Sequence, residues 1–478
     1  MTPQQKAFTT KAISNLRTIN LLSSEPHGSS SLSEAMDAGG IRSGFIDFGG
    51  GSATGFSGEG LAALAALAKS YRPEGSRRSQ QASSATLAQF LSASIVRLWK
   101  DRDGGIPGEA DFDVLDSAVV SWFTALSQSN LHAVPCTLPD FPALPFSIGP
   151  VHFYRWHEFP TEQFGVTKEE FWPTVREGVS DPVFGGAHFR DLVAMAIDRR
   201  ATWVAVVELS GRAEKEAIAT ADIAVDIALG VLQIAAPGLN IRNIARATAP
   251  IPILRRTDVW ASEGLTRQGF SNLSPALTIH PEVFHHVIAN EIGQSLAVMG
   301  KRLGEYLGAT TLVPLLNEAW CNAVYWFHEA IAEALDTVAV LKLETAIEVL
   351  FRAEDMSGSK SRIKHSFDAL FGLTGSDIFP GSVLTVDQFI LNITTARSRI
   401  AHGTWPTIST DLPGYRQQQP VSRNAVEMVA GTLLVLIAHK IGEYVKAGET
   451  ADDTDALLKW VKSQRQQAAP YNAQSAGT

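Results

Sequence analysis

Cysteine is almost absent from this chain of 478 residues, in which Cys136 and Cys321 are the two examples. Two thiols cannot build a disulfide framework or a zinc site made of cysteine ligands. Long apolar runs are also missing, because the best candidate, Met428 to Ala438, has about 11 residues where a membrane span needs about 20. The first residues are polar and lack the basic, apolar and small-residue order of a secretory signal. We therefore expect a cytoplasmic protein without a membrane segment.

Basic charge is scarce as well. The chain has 40 Lys and Arg against 49 Asp and Glu, a formal charge of −9, and only 19% of its residues are charged. This balance excludes an extended coat for nucleic acid, so any nucleic-acid site must be local. The apolar content is ordinary, which excludes global disorder, and the length predicts about two to four domains.

Serine and glycine make up half of residues 23–60, 19 of 38. The run GGGSATGFSGEG at 49–60 lacks the Lys-Ser/Thr ending of a P-loop and the glycine spacing of a dinucleotide site. We interpret residues 1–60 as a flexible segment. Residues 61–150 follow as a helical region that ends in a proline-rich stretch. Apolar residues three to four apart predict its helices, at Leu61–Ala68, Thr86–Trp99 and Phe112–Leu126.

Residues 151–305 predict a mixed α+β region, to which we assign a regulatory or sensor role. VHFYRW (151–156) and TWVAVVEL (202–209) are rich in β-branched and aromatic residues and predict strands. Helices are predicted at Lys168–Arg176, Phe189–Ile197 and Ala213–Leu232. In the last helix, Asp222 and Asp226 lie one turn apart. Paired carboxylates are suited to acid–base work, but we favour the polar stripe of an amphipathic helix.

The C-terminal part carries the clearest helical pattern. Each of its segments has one apolar stripe, and short connections favour antiparallel neighbours. The predicted helices are Leu316–Leu335, Leu341–Phe351, Ile363–Phe371, Val386–His402 and Ala425–Val445. The fold class is therefore mainly α, with an antiparallel helical bundle over 306–450 and an N-terminal α+β region. Residues 451–478 predict a terminal helix and a disordered tail that begins at Gln464.

The fourth bundle helix ends in RSRIAHG (397–403). Arg397 lies beside the apolar stripe, so its guanidinium must be paired or face a polar cleft. Two interpretations stay open for Arg397, a site residue or an ion pair with Glu344 or Glu348, and two for His402, a site residue or a helix cap. In a straight helix His402 lies about 140° around from Arg397, whereas Arg399 and His402 share a face.

This ending resembles the HEPN superfamily, in particular its Apea-like group. The run AWCNAVYWFHEAIAEALDTVAVLKLETAIEVLF (319–351), with Ala346-Ile347-Glu348, is also similar to that group, and the resemblance covers about residues 310–450. It implies metal-independent RNA cleavage without a cofactor, at a site that two bundles form as a homodimer, with Arg397 and His402 catalytic. It also implies a toxin or anti-phage effector. Ser398 stands where the family often has Asn, His or Asp, and a serine cannot titrate near neutral pH.

Other residues are expected to support this site. Lys360, Arg362 and Lys364 form a basic cluster with His365, and residues 351–403 carry a net charge of about +1 from six basic and five acidic residues. We expect these three, with Ser398, Arg399 and Glu348, to bind or orient RNA, although a solvated face explains the basic cluster equally well. The N-terminal region would bind a trigger or an inhibitor. The alternatives are a non-catalytic module that binds RNA or dimerises, and an unrelated enzyme in the N-terminal half.

Two further groups are interpreted as structural. His280, His285 and His286 lack the H-E-x-x-H spacing of a metal site, and Pro281 interrupts them, so we expect surface or cap histidines and no metal. Cys321 lies among bulky apolar neighbours without an activating group, which predicts a core position.

Overall fold

The computed structural model divides the chain into two compact units. One consists of Met1–Asn130 with Leu209–Thr220, and the other of Leu131–Glu208 with Ala221–Thr478. The structure describes residues 1–20, 36–42, 47–49, 52–73, 76–102, 104–105, 107–139, 144–171, 186–239, 241–249, 255–272, 275, 280–308, 311–353, 356–379, 383–416 and 420–475.

The first unit packs helices with a small antiparallel sheet. Its elements are α1 (Pro3–Ser14), β1 (Leu16–Asn20), β2 (Asp47–Gly49), β3 (Ser52–Phe56), α2 (Gly58–Tyr71), α3 (Arg77–Gln81), α4 (Ser84–Lys100) and α5 (Glu109–Ala125). The strand order is β1-β3-β2. Phe56, Leu64 and Leu91 are among the residues of its core. The three helices predicted between residues 61 and 126 are confirmed.

Regular elements also occupy much of the segment that we expected to be flexible. Thr2 caps α1 through a capping box with Gln5, which satisfies free N–H groups of the first helical turn. The SATGF part of the glycine-rich run forms β3, which pairs with both neighbouring strands and has four buried residues in succession. Burial on both faces stabilises this strand despite its small residues. The remainder of the Ser/Gly-rich run, at 23–35, 43–46 and 50–51, lies outside the described residues.

The second unit begins with a five-stranded sheet of order β5-β6-β7-β4-β8. The strands and the helices between them are β4 (Ser129–Thr137), β5 (Phe146–Ile148), β6 (Val151–Arg155), α6 (Gly186–Asp198), β7 (Trp203–Ser210), α7 (Glu214–Ala235) and β8 (Ala245–Arg246). The start of α7, up to Thr220, belongs to the first unit. The predicted strands β6 and β7 and the helices α6 and α7 are confirmed. β4 and β5 lie in the region that we expected to be helical. The local sequence pattern did not predict these strands because they are stabilised by pairing with strands that are distant in the sequence. The helix predicted at 168–176 lies outside the described residues from 172 onward.

Helix α7 packs closely against the bundle at Gly230. A Cβ atom there would lie 2.9 Å from Val324 Cγ1 and 3.1 Å from His328 Cβ, so only glycine permits this approach. Beyond the sheet, β9 (Arg255–Ser262) and β10 (Leu265–Asn272) form an antiparallel hairpin that the sequence pattern did not predict.

The C-terminal part is helical, as predicted. The helices are α8 (Pro281–His286), α9 (Gly293–Gly308), α10 (Pro314–Ile331), α11 (Asp336–Leu350), α12 (Met356–Phe371), α13 (Val386–Ala401), α14 (Arg423–Lys446) and α15 (Thr454–Ser475). α11 packs against α10, α13 and α14. Trp320 is fully buried and donates a hydrogen bond from Nε1 to the carbonyl oxygen of Leu434, 2.9 Å away, which joins α10 to α14. Cys321 is fully buried, which confirms its predicted core position.

The terminal helix is longer than predicted. We expected a disordered tail from Gln464, but α15 continues to Ser475. Lys462 and Arg465 form ion pairs with Asp368 of α12, at the start of the expected tail. Val461 is the last buried apolar residue of α15 among the side chains that are described, and Arg465 beyond it still has a partner in α12.

Two described helices, α7 and α14, are long and apolar enough to cross a membrane by length and composition alone. Within the protein, 72% of the most apolar window of α7 and 44% of that of α14 are buried. Core helices meet the same criterion, so the finding is weak support for a membrane span.

Candidate functional site

The predicted site lies at the C-terminal end of α13. Thr385 and Gln388 form a capping box at the start of this helix, and Phe389, Ile393 and Ile400 bury one face. His402 is the C-cap residue, and Gly403 follows with φ +67°. A left-handed glycine after the last turn ends a helix, so the motif coincides with the exposed end of α13.

Arg397 forms ion pairs with two carboxylates of α11. Its Nε lies 3.6 Å from Glu344 Oε2, and its Nη2 lies 3.3 Å from Glu348 Oε2. The side chain of Arg397 is 37% exposed, that of Glu348 is 14% exposed, and that of Glu344 is fully buried. The ion pair that we had left open as an alternative is therefore present. The contacts fix the guanidinium from its buried side and leave part of it accessible.

Glu344 is an unusual member of this cluster. Neither of its carboxyl oxygens has a hydrogen-bond partner among the described residues. Burial raises the pKa of Glu344 well above its ordinary value, the charge of Glu348 raises it further, and Arg397 opposes both. A protonated Glu344 leaves Glu348 as the charged partner of Arg397, so that one cation faces one anion.

His402 follows Arg397 by five residues and is the C-cap of α13. Its backbone N–H donates to the carbonyl oxygen of Ser398 at 3.0 Å, so the helical hydrogen bonding is regular up to the cap. The helix does not loosen before His402, and Arg397 and His402 therefore keep the angular separation of about 140° expected for a straight helix. His402 is exposed. Among the described residues, the ion pairs of Arg397 are with Glu344 and Glu348 and not with His402.

Arg399 belongs to the exposed end of the helix. Its guanidinium lies over the ring of Trp405, 4.6 Å from the centroid, in a cation–π contact. The indole Nε1 of Trp405 donates to the carbonyl oxygen of Asp411 at 2.9 Å, which holds the ring in place. Ser398 is half-buried beside Arg399. We had not singled out Trp405, although a tryptophan shortly after the motif was the available signal.

The basic cluster does not converge on Arg397 or His402. Lys364 Nζ lies 2.9 Å from Asp387 Oδ1. Arg362 donates to the backbone carbonyls of Phe351 and Arg352 at the end of α11 and lies 3.6 Å from Asp455. Lys360 is half-buried and forms no ion pair with any residue in the described parts of the chain. These partners favour helix capping and surface pairing over joint contact with RNA at the motif.

Asp222 and Asp226 require a correction. We expected a solvated polar stripe, but Asp226 is 1% exposed and accepts two hydrogen bonds from Arg246 Nε, at 2.9 and 3.0 Å. Arg246 Nη1 also donates to Asp222, at 2.8 Å. His328 Nδ1 lies 2.8 Å from Gln233 Oε1, and its Nε2 lies 3.9 Å from Asp226. The aspartates face the sheet because β8 supplies a cation there, which the helical pattern alone cannot reveal.

Burial shifts the pKa values of this network in opposite directions. It raises the pKa of Asp226 to about 6 against the opposing charge of Arg246, and it lowers the pKa of His328 to about 4. Burial also disfavours the charge of Arg246, but the nearby Asp226 and Asp222 outweigh it and raise the pKa of Arg246. Arg246 therefore remains a cation, and His328 is neutral near pH 7.

The three predicted surface histidines have structural partners or high exposure. His280 caps α8 by accepting from the N–H of Glu282, His285 Nε2 accepts from the N–H of Leu144, and His286 is 64% exposed. Within the described residues no group of three or more His, Cys, Asp or Glu side chains is arranged to hold a metal ion. No protein-family model matches the chain, and neither a curated protein nor a solved structure is significantly similar to it.

Proposed function

We propose that the protein is a cytoplasmic, metal-independent endoribonuclease whose C-terminal bundle cleaves RNA by attack of the 2′-OH on the adjacent phosphate. The observation that carries the proposal is the end of α13, where the exposed His402 and the partly exposed Arg397 and Arg399 lie within one short stretch. The reaction needs a group that exchanges protons near neutral pH and a cation for the charge on the phosphorane. Imidazole supplies the first, and guanidinium supplies the second.

The ion pair with Glu348 supports a positioning role. Glu344 contacts Nε of Arg397 and Glu348 contacts its Nη2, so the guanidinium has a defined orientation before a phosphate arrives. A pre-oriented donor loses less conformational entropy on binding than a free arginine does. Arg399 is similarly held by Trp405.

The angular separation of Arg397 and His402 leads us to a composite site. In the proposal two bundles face each other in a homodimer, and Arg397 of one chain acts with His402 of its partner. Residues 1–305 hold the nuclease in check or bind a trigger, as a toxin or an anti-phage effector would require.

The test is cleavage of a single-stranded RNA in EDTA by the wild type and by Arg397→Ala, His402→Ala and Arg399→Ala. We expect the first two substitutions to reduce the rate by about 10²-fold or more, the range for losing a proton carrier or a charge-stabilising donor. Arg416→Ala is the matched control, since Arg416 is an exposed arginine that stacks on Tyr415 outside the motif. The same oligonucleotide with 2′-deoxy sugars should remain intact, because it lacks the nucleophile.

A mixing experiment tests the composite site. Arg397→Ala and His402→Ala chains, inactive alone, are combined after dissociation. Heterodimers with one intact site should restore about a quarter of the wild-type activity in a random mixture. No restoration contradicts the composite site, equal cleavage by all variants contradicts the residue assignment, and loss of cleavage in EDTA contradicts the metal-independent reaction.

A second candidate is a non-catalytic bundle that binds RNA or mediates dimerisation. The contacts of Arg397 with Glu344 and Glu348 favour it, because a guanidinium already held by a charged carboxylate is less available to phosphate. Absence of cleavage by the wild type with every RNA, together with RNA binding that Arg397→Ala and His402→Ala leave unchanged, supports this candidate.

A further inference from the structure

A cavity of about 490 Å³ lies inside the helical part of the second unit, between α10, the end of α11, α12 and the start of α15. It contains neither Arg397 nor His402, and it is within the size range of small-molecule sites. We call it the Arg352 cavity.

Two arginines line this cavity, with two carboxylates that balance their formal charge. Arg362 is held by the neutral carbonyl groups of Phe351 and Arg352, which orient its guanidinium without neutralising it. Its ion-pair partner in the described part of the chain, Asp455, is 3.6 Å away and 57% exposed, and water therefore screens that contact. Arg352 is exposed, and it forms no ion pair with any residue that the structure describes. Its backbone is in the left-handed region, with φ +52°.

A buried threonine lines the same cavity. Thr454 is 2% exposed, and its Oγ1 has no hydrogen-bond partner among the described residues. It lies at the first position of α15, a helix of 22 residues, where the helix dipole is positive. An unpaired buried hydroxyl is costly, and a ligand oxygen would satisfy it.

The side chains that line the cavity indicate which class of ligand fits it. Guanidinium groups and a hydroxyl donor recognise phosphate. At the start of α15 the N–H of Ala456 already donates to Asp453 Oδ2, at 3.0 Å. Glu318 and Asp453 also line the cavity, and these carboxylates repel a bare anion but accept hydrogen bonds from hydroxyl groups. Leu315, Ala319 and Val349 add an apolar wall on which a flat ring can lie.

We propose that the Arg352 cavity binds a phosphomonoester that also carries hydroxyl groups and a flat apolar ring, as a nucleoside monophosphate does. The phosphate lies between Arg352 and the start of α15 and accepts a hydrogen bond from Thr454. The hydroxyl groups donate to Glu318 and Asp453. This site does not depend on the proposed RNA cleavage, because it uses neither motif residue.

The test is calorimetric titration of the full-length protein with AMP, UMP, adenosine and inorganic phosphate. We expect both nucleotides to bind about tenfold or more tightly than adenosine or inorganic phosphate. Failure of both nucleotides to bind at millimolar concentration overturns the proposal. Equal binding of inorganic phosphate overturns it too, because it shows an adventitious anion only.

Two variants locate the site. Arg352→Ala should weaken AMP binding by about tenfold or more. Arg200→Ala is its matched control, since Arg200 is an exposed arginine with φ +54° just after helix α6, so both substitutions place alanine in the same backbone conformation. Thr454→Val should weaken AMP binding while the melting temperature stays equal or rises, because it removes an unpaired buried hydroxyl. Unchanged AMP affinity in Arg352→Ala or Thr454→Val overturns the proposal.

Discussion

His328 and Asp226 lie side by side in the second unit, with 3.9 Å between Nε2 and Oδ1, and their pKa values are shifted in opposite directions. Asp226 has a folded-state pKa of about 6 and an ordinary value of 3.8, so its contribution to stability is lost as the pH rises from about 4 to about 6. His328 has a folded-state pKa of about 4 and an ordinary value of 6.5, so its contribution is lost as the pH falls through the same window. The pH dependences of these two contributions to stability nearly cancel.

Single substitutions should therefore reveal a pH dependence that the wild type hides. Relative to wild type, Asp226→Asn should make the free energy of unfolding rise with pH between pH 4 and 6, by about 1.4 kcal/mol per pH unit for one proton. His328→Gln keeps a hydrogen-bond donor for Gln233. Relative to wild type, it should make the free energy of unfolding fall with rising pH by a similar amount. Urea unfolding at several pH values measures both. A difference from wild type that does not vary with pH contradicts the assignment.

Glu344 and Glu348 should respond oppositely to the same substitution. Glu344→Met removes a buried carboxyl group without hydrogen bonds, so stability should stay equal or rise by about 1 kcal/mol or more. Glu348→Met removes the charged partner of Arg397 and should lower stability by about 1 to 3 kcal/mol. Thermal unfolding compares the two variants, and a greater loss for Glu344→Met would show that the buried carboxyl group is the main anchor.

Gly149 and Gly300 should not tolerate a side chain. A Cβ atom at Gly149 would overlap the carbonyl oxygen of Gly300, and one at Gly300 would overlap the backbone nitrogen of Gly149. Gly300→Ala should therefore cost about 1 to 3 kcal/mol, and Gly149→Ala should cost more, because Gly149 also has φ +56°.

The control for this pair is Gly442→Ala in α14. A Cβ atom there meets nothing within 4 Å, so the substitution should stabilise by about 0.5 to 1 kcal/mol through helix propensity. Chemical denaturation of the three variants separates the two effects. Similar changes at all three glycines would exclude a close backbone contact.

Glu216 should stabilise the start of α4 in the first unit. Its Oε1 accepts from the N–H of Ser83 at 2.8 Å and from the hydroxyl of Thr86 at 2.6 Å. Although partial burial opposes the charge, these hydrogen bonds lower the pKa of Glu216. The contribution of Glu216 to folding stability is therefore present above the ordinary pKa of 4.5 and is lost as the pH falls below that value.

Glu216→Gln should cost about 2 kcal/mol near pH 7 and less in acid. Glu214→Gln, at an exposed position of the same first turn of α7, is the matched control and should have little effect. Thermal unfolding at pH 7 and pH 4 measures both variants. An equal loss in the two variants would contradict the capping role of Glu216.

The RSRIAHG segment (397–403) is an example of what a local pattern can and cannot predict. The position of Arg397 beside the apolar stripe of α13 already implied a partner on another helix, and the sequence offered both Glu344 and Glu348. The structure contains both contacts, and burial raises the pKa of Glu344 because α10, α13 and α14 pack around α11. The angular relation of Arg397 and His402 followed from helix geometry alone, since α13 stays regular to its end.

The sequence by itself determined where most helices lie, because the buried residues of an amphipathic helix recur every three or four positions along the chain. It also determined the buried state of Cys321 and the end of α13 at His402 and Gly403. Only the tertiary structure decided that Asp226 is buried against Arg246, that a glycine-rich run forms β3, and that Arg352 and Thr454 line one cavity. Each of these depends on residues distant in the chain, whose charge, backbone hydrogen bonds and surface become neighbours only when the chain is folded.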